Sequence, residues 1–151
     1  MNGQVAAVLG VGPGLGAAVA RRFAREGFAV ALMARSEESL AGVREEIEGN
    51  GGTALPVAAD ATNPASVEEA FGRVRRELGD PEVFVYNAGA FQMGGILEIP
   101  PERFDECFRA NCAGAFYAAQ QVLPAMLEAG RGTILLTGAT ASLRGSARFS
   151  A

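Results

Sequence analysis

Short apolar runs alternate along this chain with longer amphipathic stretches. Residues 5–9 are apolar throughout and predict a buried strand. Residues 15–26 predict a helix, closed by Gly27. A second strand is expected over 28–34. Ser36 then stands where it can cap a helix running to about residue 48, with Glu37 and Glu38 in its first turn. Gly49, Asn50, Gly51 and Gly52 form the next turn, and residues 53–58 a third strand. Asn63 followed by Pro64 predicts a capped helix to about residue 78, because proline at the first helical position gives up an N–H that has no acceptor there. Residues 83–86 predict the fourth strand. A glycine-bearing loop follows, ending at Pro100 and Pro101. Phe104, Phe108, Cys112, Ala115, Ala119, Val122 and Met126 then recur at three- and four-residue steps, predicting one long helix that buries that face and carries Pro124 as a candidate kink. Gly130 and Gly132 flank its exit, and residues 133–137 predict a fifth strand.

The strand segments are continuous apolar runs rather than alternating ones, as strands covered on both faces must be. Strand and helix in repeated alternation imply a parallel sheet with right-handed crossovers. The fold class is therefore α/β, a doubly wound parallel sheet of Rossmann type, in one domain of 151 residues. The fifth apolar strand would leave a bare edge, so the sheet is expected to be incomplete on its C-terminal side and the chain to be a fragment.

Composition narrows the chemistry. About half the residues are apolar and a fifth are charged, which excludes disorder. A net charge of −4 disfavours nucleic acid and anionic membrane as partners. Arg21, Arg22 and Arg25, like Arg73, Arg75 and Arg76, read as solvated helix faces. The absence of histidine removes Ser-His-Asp and Cys-His nucleophile systems and imidazole metal ligands. Cys107 and Cys112 lie five apart on a predicted helix, facing different sides, and suit neither a disulfide nor a metal site. No signal peptide or membrane span is read, because Arg21 and Arg22 cut short an apolar run that four glycines already interrupt. A reducing, cytoplasmic compartment fits.

The chemistry concentrates at Gly10-Val11-Gly12-Pro13-Gly14-Leu15-Gly16, between the first strand and the first helix. Without Cβ atoms the backbone turns tightly and lets a pyrophosphate approach the helix N-terminus, where unpaired N–H groups and the dipole favour negative charge. The alternative is a glycine-rich turn without ligand. Two registers are open: Gly12, Gly14 and Ala17 fit the general dinucleotide pattern, while Gly10, Gly14 and Gly16 fit Gly-x-x-x-Gly-x-Gly.

In the second register the chain resembles the short-chain dehydrogenase/reductase family. Four further places carry the resemblance: Asp60-Ala61-Thr62 after the third strand, Asn87-Ala88-Gly89 after the fourth, Asn111 within Arg109-Ala110-Asn111-Cys112-Ala113-Gly114, and Gly132-Thr133-Ile134-Leu135-Leu136. The resemblance implies that Gly10, Gly12, Gly14, Leu15, Gly16, Asp60, Ala61, Asn87, Ala88 and Gly89 hold a dinucleotide, with Asp60 at the adenine. It implies hydride transfer on an alcohol or carbonyl substrate, with Asn111 as the helical catalytic Asn.

Cofactor choice is read at the end of the second strand. A ribose 2′-OH wants an acid there and a 2′-phosphate wants a cation. Ala34 occupies the acidic position and Arg35 follows, so the expected cofactor is NADP(H), with Ser36 able to add a hydroxyl. The other reading of Arg35, as a solvated helix start, sets a cation against the helix dipole.

The chain departs from the family at the proton donor and at the serine. No Tyr-x-x-x-Lys occurs, and the chain contains no lysine. The family's spacing places that Tyr just past residue 151. Tyr86 and Tyr117 read as packed residues. Ala139 stands at the serine position, leaving Thr140 and Ser142 as nearby hydroxyls that are either substitutes or ordinary loop residues. Two functions stay open: an NADP(H)-dependent oxidoreductase, and a nucleotide-binding module without turnover that acts as sensor or partner subunit. A methyltransferase is weaker, since it wants an acid where Ala34-Arg35 stands. The loop over residues 90–100 is expected to line the substrate pocket, and the helix around Phe116 to join subunits of a homo-oligomer.

Overall fold

The computed structural model describes residues 3–145 and 147–150. Five strands form one parallel sheet: β1 (Val5–Leu9), β2 (Ala29–Ala34), β3 (Thr53–Ala58), β4 (Val83–Tyr86) and β5 (Thr133–Leu136), in the order β3-β2-β1-β4-β5. The helices are α1 (Leu15–Arg25), α2 (Ala41–Gly49), α3 (Pro64–Glu77), α4 (Pro101–Phe108) and α5 (Gly114–Glu128). The expected doubly wound α/β class is what the chain adopts.

The continuous apolar strands divide their side chains between two layers. Val5, Ala7 and Leu9 of β1 pack with α3 and α5, beside Phe71, Phe84 and Val122. Val8 faces the other layer, with Ala17 and Ala20 of α1 and Val43 and Ile47 of α2. Alternate residues thus feed opposite cores, and every residue of β1 is buried. Pro56 is accommodated because β3 is a sheet edge, where a missing N–H removes no ladder bond on the outer side.

Boundaries follow local chemistry. Asn63 caps α3, its Oδ1 accepting from Ala65 N at 3.0 Å and Ser66 N at 3.3 Å, with Pro64 next. Gly27 ends the α1 turn at φ +89°. Within the arginine clusters, Arg21 pairs with Glu46, Arg22 with Glu26, and Arg73 with both Glu37 and Glu77. Arg75 instead reaches across to α5 and donates to Gln121 O at 3.1 Å.

Three expectations are corrected. Ser36 does not cap α2. A 3₁₀ turn (Glu38–Leu40) intervenes, no side chain caps either helix start, and the Ser36 carbonyl accepts from the Ser39 hydroxyl at 2.6 Å. The long helix is not continuous, because a π turn (Arg109–Ala113) separates α4 from α5. The extra residue in that turn shifts the buried stripe. The buried positions are Cys107, Ala110, Gly114, Ala118, Val122 and Met126, whereas Phe104, Phe108 and Cys112 are exposed and Ala115 and Ala119 only partly covered. β5, by contrast, is the expected bare edge, with Leu135 and Leu136 exposed.

Candidate functional site

The strand order reverses direction between β1 and β4, and the crevice at the strands' carboxyl ends there is where open α/β sheets take ligands. A cleft of about 1030 Å³ opens at this point. Its floor is the glycine loop, with Gly10, Gly12, Gly14, Leu15 and Gly16 all lining it.

The glycines serve two different needs. Gly10 sits at φ +99°, and a Cβ there would collide with the backbone of Asn87 and Ala88. A Cβ on Gly16 would collide with the Gly10 carbonyl and lie 2.9 Å from Val11 Cα. These two residues pack the loop against its own protein. Gly12 and Gly14 have nothing within 4 Å of the Cβ position and no left-handed φ. Their missing side chains therefore leave room in the cleft rather than relieve an internal clash. Gly14, which both registers share, leaves space, while Gly10 and Gly16 of the second register serve packing.

α1 begins at Gly14 with no side-chain cap and no acid in its first turn, and carries Arg22 and Arg25 in its last. The N–H groups of Leu15 and Gly16 have no acceptor within the helix, so donors and the positive dipole end face the cleft. Open space, free donors and a dipole fit the pyrophosphate of a dinucleotide.

The other walls come from loops after β2, β3 and β4. Asn87 links two of them: its N–H donates to Leu9 O at 2.7 Å and its Nδ2 to Gly10 O at 2.9 Å. Ala88 and Gly89 continue that wall. Asp60 turns the chain after β3, its Oδ1 accepting from Thr62 N at 2.9 Å and Thr62 Oγ1 at 2.8 Å. Asp60, Ala61 and Thr62 line the cleft. Ala34, Arg35 and Ser36 close the far end. Arg35 is exposed and, among the described residues, its guanidinium has no ion-pair or hydrogen-bond partner, unlike Arg21, Arg22 and Arg73.

Asn111 lies in the π turn and clamps the backbone of Ala90 from both sides. Its Oδ1 accepts from Ala90 N at 3.0 Å and its Nδ2 donates to Ala90 O at 2.9 Å. A Cβ on Gly89 would come 3.1 Å from that Oδ1, so glycine there makes room for the clamp. Asn111 is thus tied to the loop after β4 rather than to the cleft surface. Thr140 and Ser142 lie in an exposed 3₁₀ turn (Thr140–Ser142) away from the cleft lining, and the Ser142 hydroxyl donates to Ala139 O at 2.6 Å. From the loop over residues 90–100, Ala90 and Phe91 reach the cleft.

Sequence reading did not single out three further lining groups, Arg103, Glu106 and Arg109. They were hidden because the expected buried stripe ran through Phe104 and Phe108, one or two positions away. The π turn that decides which side of the helix faces the cleft has no local sequence signature.

Tyr86 ends β4 fully packed, and its hydroxyl donates to the Ala110 carbonyl. Burial, with smaller contributions from Asp60 and Cys112, pushes its pKa up to about 12. It is a hydrogen-bond donor that stays protonated near neutrality. Both cysteines are free, Cys107 buried and Cys112 exposed. Among the described residues no helix is long and apolar enough to cross a membrane.

A Rossmann-type sheet with a glycine loop at its switch point and an Asn-Ala-Gly wall beside it is an arrangement that fits a dinucleotide. The short chain dehydrogenase family model matches residues 4–151, and the chain belongs to that oxidoreductase family. Versicolorin reductase stcU of Emericella nidulans is 34% identical over 98% of this chain and 56% of its own length. Sorbitol dehydrogenase of Cereibacter sphaeroides is 32% identical over 97% of this chain and 57% of its own. The chain therefore spans just over half the length of these relatives. Among solved structures, an actinorhodin polyketide ketoreductase variant with NADPH superposes with a TM-score of 0.92 at 32% identity, covering 97% of this chain and 57% of that one. A gluconate 5-dehydrogenase from Burkholderia cenocepacia in complex with NADP and tartrate gives 0.91 at 26% identity, covering 99% and 59%.

Proposed function

We propose that this chain binds NADP(H) and serves an oxidoreductase acting on an alcohol or carbonyl substrate. The observation that carries the reading is the cleft itself: the space left by Gly12 and Gly14 at a helix N-terminus runs to Arg35, beside Ala34 and without an ion-pair partner among the described residues. The glycine loop and the first turn of α1 would hold the pyrophosphate, Asp60 and Ala61 the adenine end, and Arg35 the 2′-phosphate. When bound, the cofactor supplies a hydride. The solved relatives carrying NADPH or NADP support this choice.

The chain's own residues would position rather than transfer protons. Asn87 and Asn111 fix the loop after β4 by four hydrogen bonds to backbone, two each. Arginine holds its proton too tightly to act as the acid, and so does Tyr86. No Tyr-x-x-x-Lys lies within residues 1–151.

The test titrates NADPH and NADH against the protein by nucleotide fluorescence, then follows NADPH oxidation with a panel of aldehydes and ketones. Tighter binding of NADPH than NADH, with oxidation by the product of the whole gene, is the expected result. Equal or weaker NADPH binding sinks the cofactor assignment. Binding without oxidation favours the module without turnover.

Beyond the small-molecule substrate, the proposed partner is a second copy of the chain. Phe104, Phe108, Phe116 and Leu127 are at least half exposed along α4 and α5, an apolar face of the kind that protein contacts cover. Sedimentation of wild type against Phe116→Glu tests it, a dimer or larger becoming a monomer. A cytoplasmic location is proposed from the two free cysteines.

A further inference from the structure

We propose that Tyr86 is a positioning residue that holds the π turn open and, through it, sets the place of Asn111 and the loop after β4. The observation is a matched set of backbone bonds. In an α-helix the Ala110 carbonyl would accept from the N–H of Gly114, four residues on. Here the Gly114 N–H donates to Arg109 O, five residues back, which is the bond that makes the turn π. The Ala110 carbonyl loses its usual donor in a buried position, where an unpaired carbonyl is costly. The Tyr86 hydroxyl supplies the replacement.

The surroundings admit this arrangement and little else. Tyr86 Oη and the Ala61 carbonyl both press on the Cβ position of Gly114, so only glycine fits where the turn rejoins α5. Two further contacts hold the residue. Phe84 meets it edge-on at a centroid distance of 6.4 Å, and β1 fixes its backbone through the Leu9–Tyr86 register. Burial raises the pKa of the hydroxyl to about 12, so the donor is present at neutral pH. One residue beyond Ala110, Asn111 leaves the turn to clamp both polar groups of Ala90. The chain of contacts runs from the sheet, through one hydroxyl, to a wall of the cleft. It rests on the oxidoreductase reading only in assigning that wall to the reaction.

Amide hydrogen exchange on the full chain, comparing wild type with Tyr86→Phe, tests this. The phenyl ring keeps the packing and removes the donor. Exchange at Ala90 and at residues 109–114 should accelerate about tenfold or more, while β1 amides keep their protection. Asn111→Ala should accelerate Ala90 alone. Gly114→Ala, which crowds the hydroxyl from the other side, should reproduce the Tyr86→Phe pattern. Unchanged exchange at Ala90 in Tyr86→Phe overturns the proposal. So does equal acceleration in β1, which would make the hydroxyl a general stabiliser of the fold. The exchange pattern needs no nucleotide, so it stands apart from NADPH titration of the same proteins: loss of NADPH binding by the wild type would sink the cofactor reading alone.

Discussion

Asn87 donates from its side-chain amide to the carbonyl of Gly10 at 2.9 Å, joining the end of β4 to the start of the glycine loop across 77 positions of sequence. The same contact presses the Asn87 and Ala88 backbone against Gly10, so tightly that no Cβ fits there. Two motifs that look independent along the chain are one piece of packing. The shape of the cleft floor depends on both.

Glycine substitutions should therefore separate folding from binding. Gly12→Val places its side chain in open cleft, so melting temperature should hold while NADPH affinity falls. Gly16→Ala drives a methyl group into the Gly10 carbonyl and should cost about 1–3 kcal/mol of stability. Thermal melts and fluorescence titrations of both variants check this. Full NADPH affinity in Gly12→Val would remove the loop from the site.

Arg35→Ala should weaken NADPH far more than NADH, by the roughly 1.5–3 kcal/mol of a charge-assisted hydrogen bond. The residue has no structural partner among the described residues, so stability should not change. Parallel titrations of the two nucleotides measure the difference. An equal loss for both would assign Arg35 to the shared part of the cofactor or to none of it.

Asn63→Ala removes the acceptor for two N–H groups at the start of α3 and should cost about 1 kcal/mol. α3 carries Asp60's turn partner Ser66, whose hydroxyl accepts from Asp60 N at 3.0 Å. Denaturant midpoints read the loss. A neutral result would show the helix start is held by Pro64 and packing alone.

Tyr86 gives stability a pH dependence on the alkaline side. Its pKa rises from 10.0 to about 12 on folding, chiefly through burial. The folded state thus binds this proton more tightly than the unfolded state. Its contribution is complete below pH 10 and is lost as pH rises from about 10 towards 12, at up to about 1.4 kcal/mol per pH unit. Urea denaturation across that range should show a steeper fall in wild type than in Tyr86→Phe. Identical slopes would show that the hydroxyl titrates freely.

The strands, the glycine loop and the α3 cap were legible because each depends on near neighbours in sequence. Apolar runs marked β1, β3 and β4 to the residue; β1, buried along its whole length, tolerates nothing else. Asn63-Pro64 carried its own geometry. Arg35 after Ala34 was legible as a charge at a strand end. The π turn was not, because its extra residue is stabilised from outside the helix, by Tyr86 on β4 and the clamp of Asn111 on Ala90. Without it the sequence period ran on through Phe104, Phe108 and Cys112, which are exposed, and met the true buried stripe only at Val122 and Met126. Local pattern determined the elements and the loop chemistry. Only tertiary contact decided which face of the last helix turns inward, which glycines serve the fold and which leave room for a ligand, because those depend on atoms that approach from distant parts of the chain.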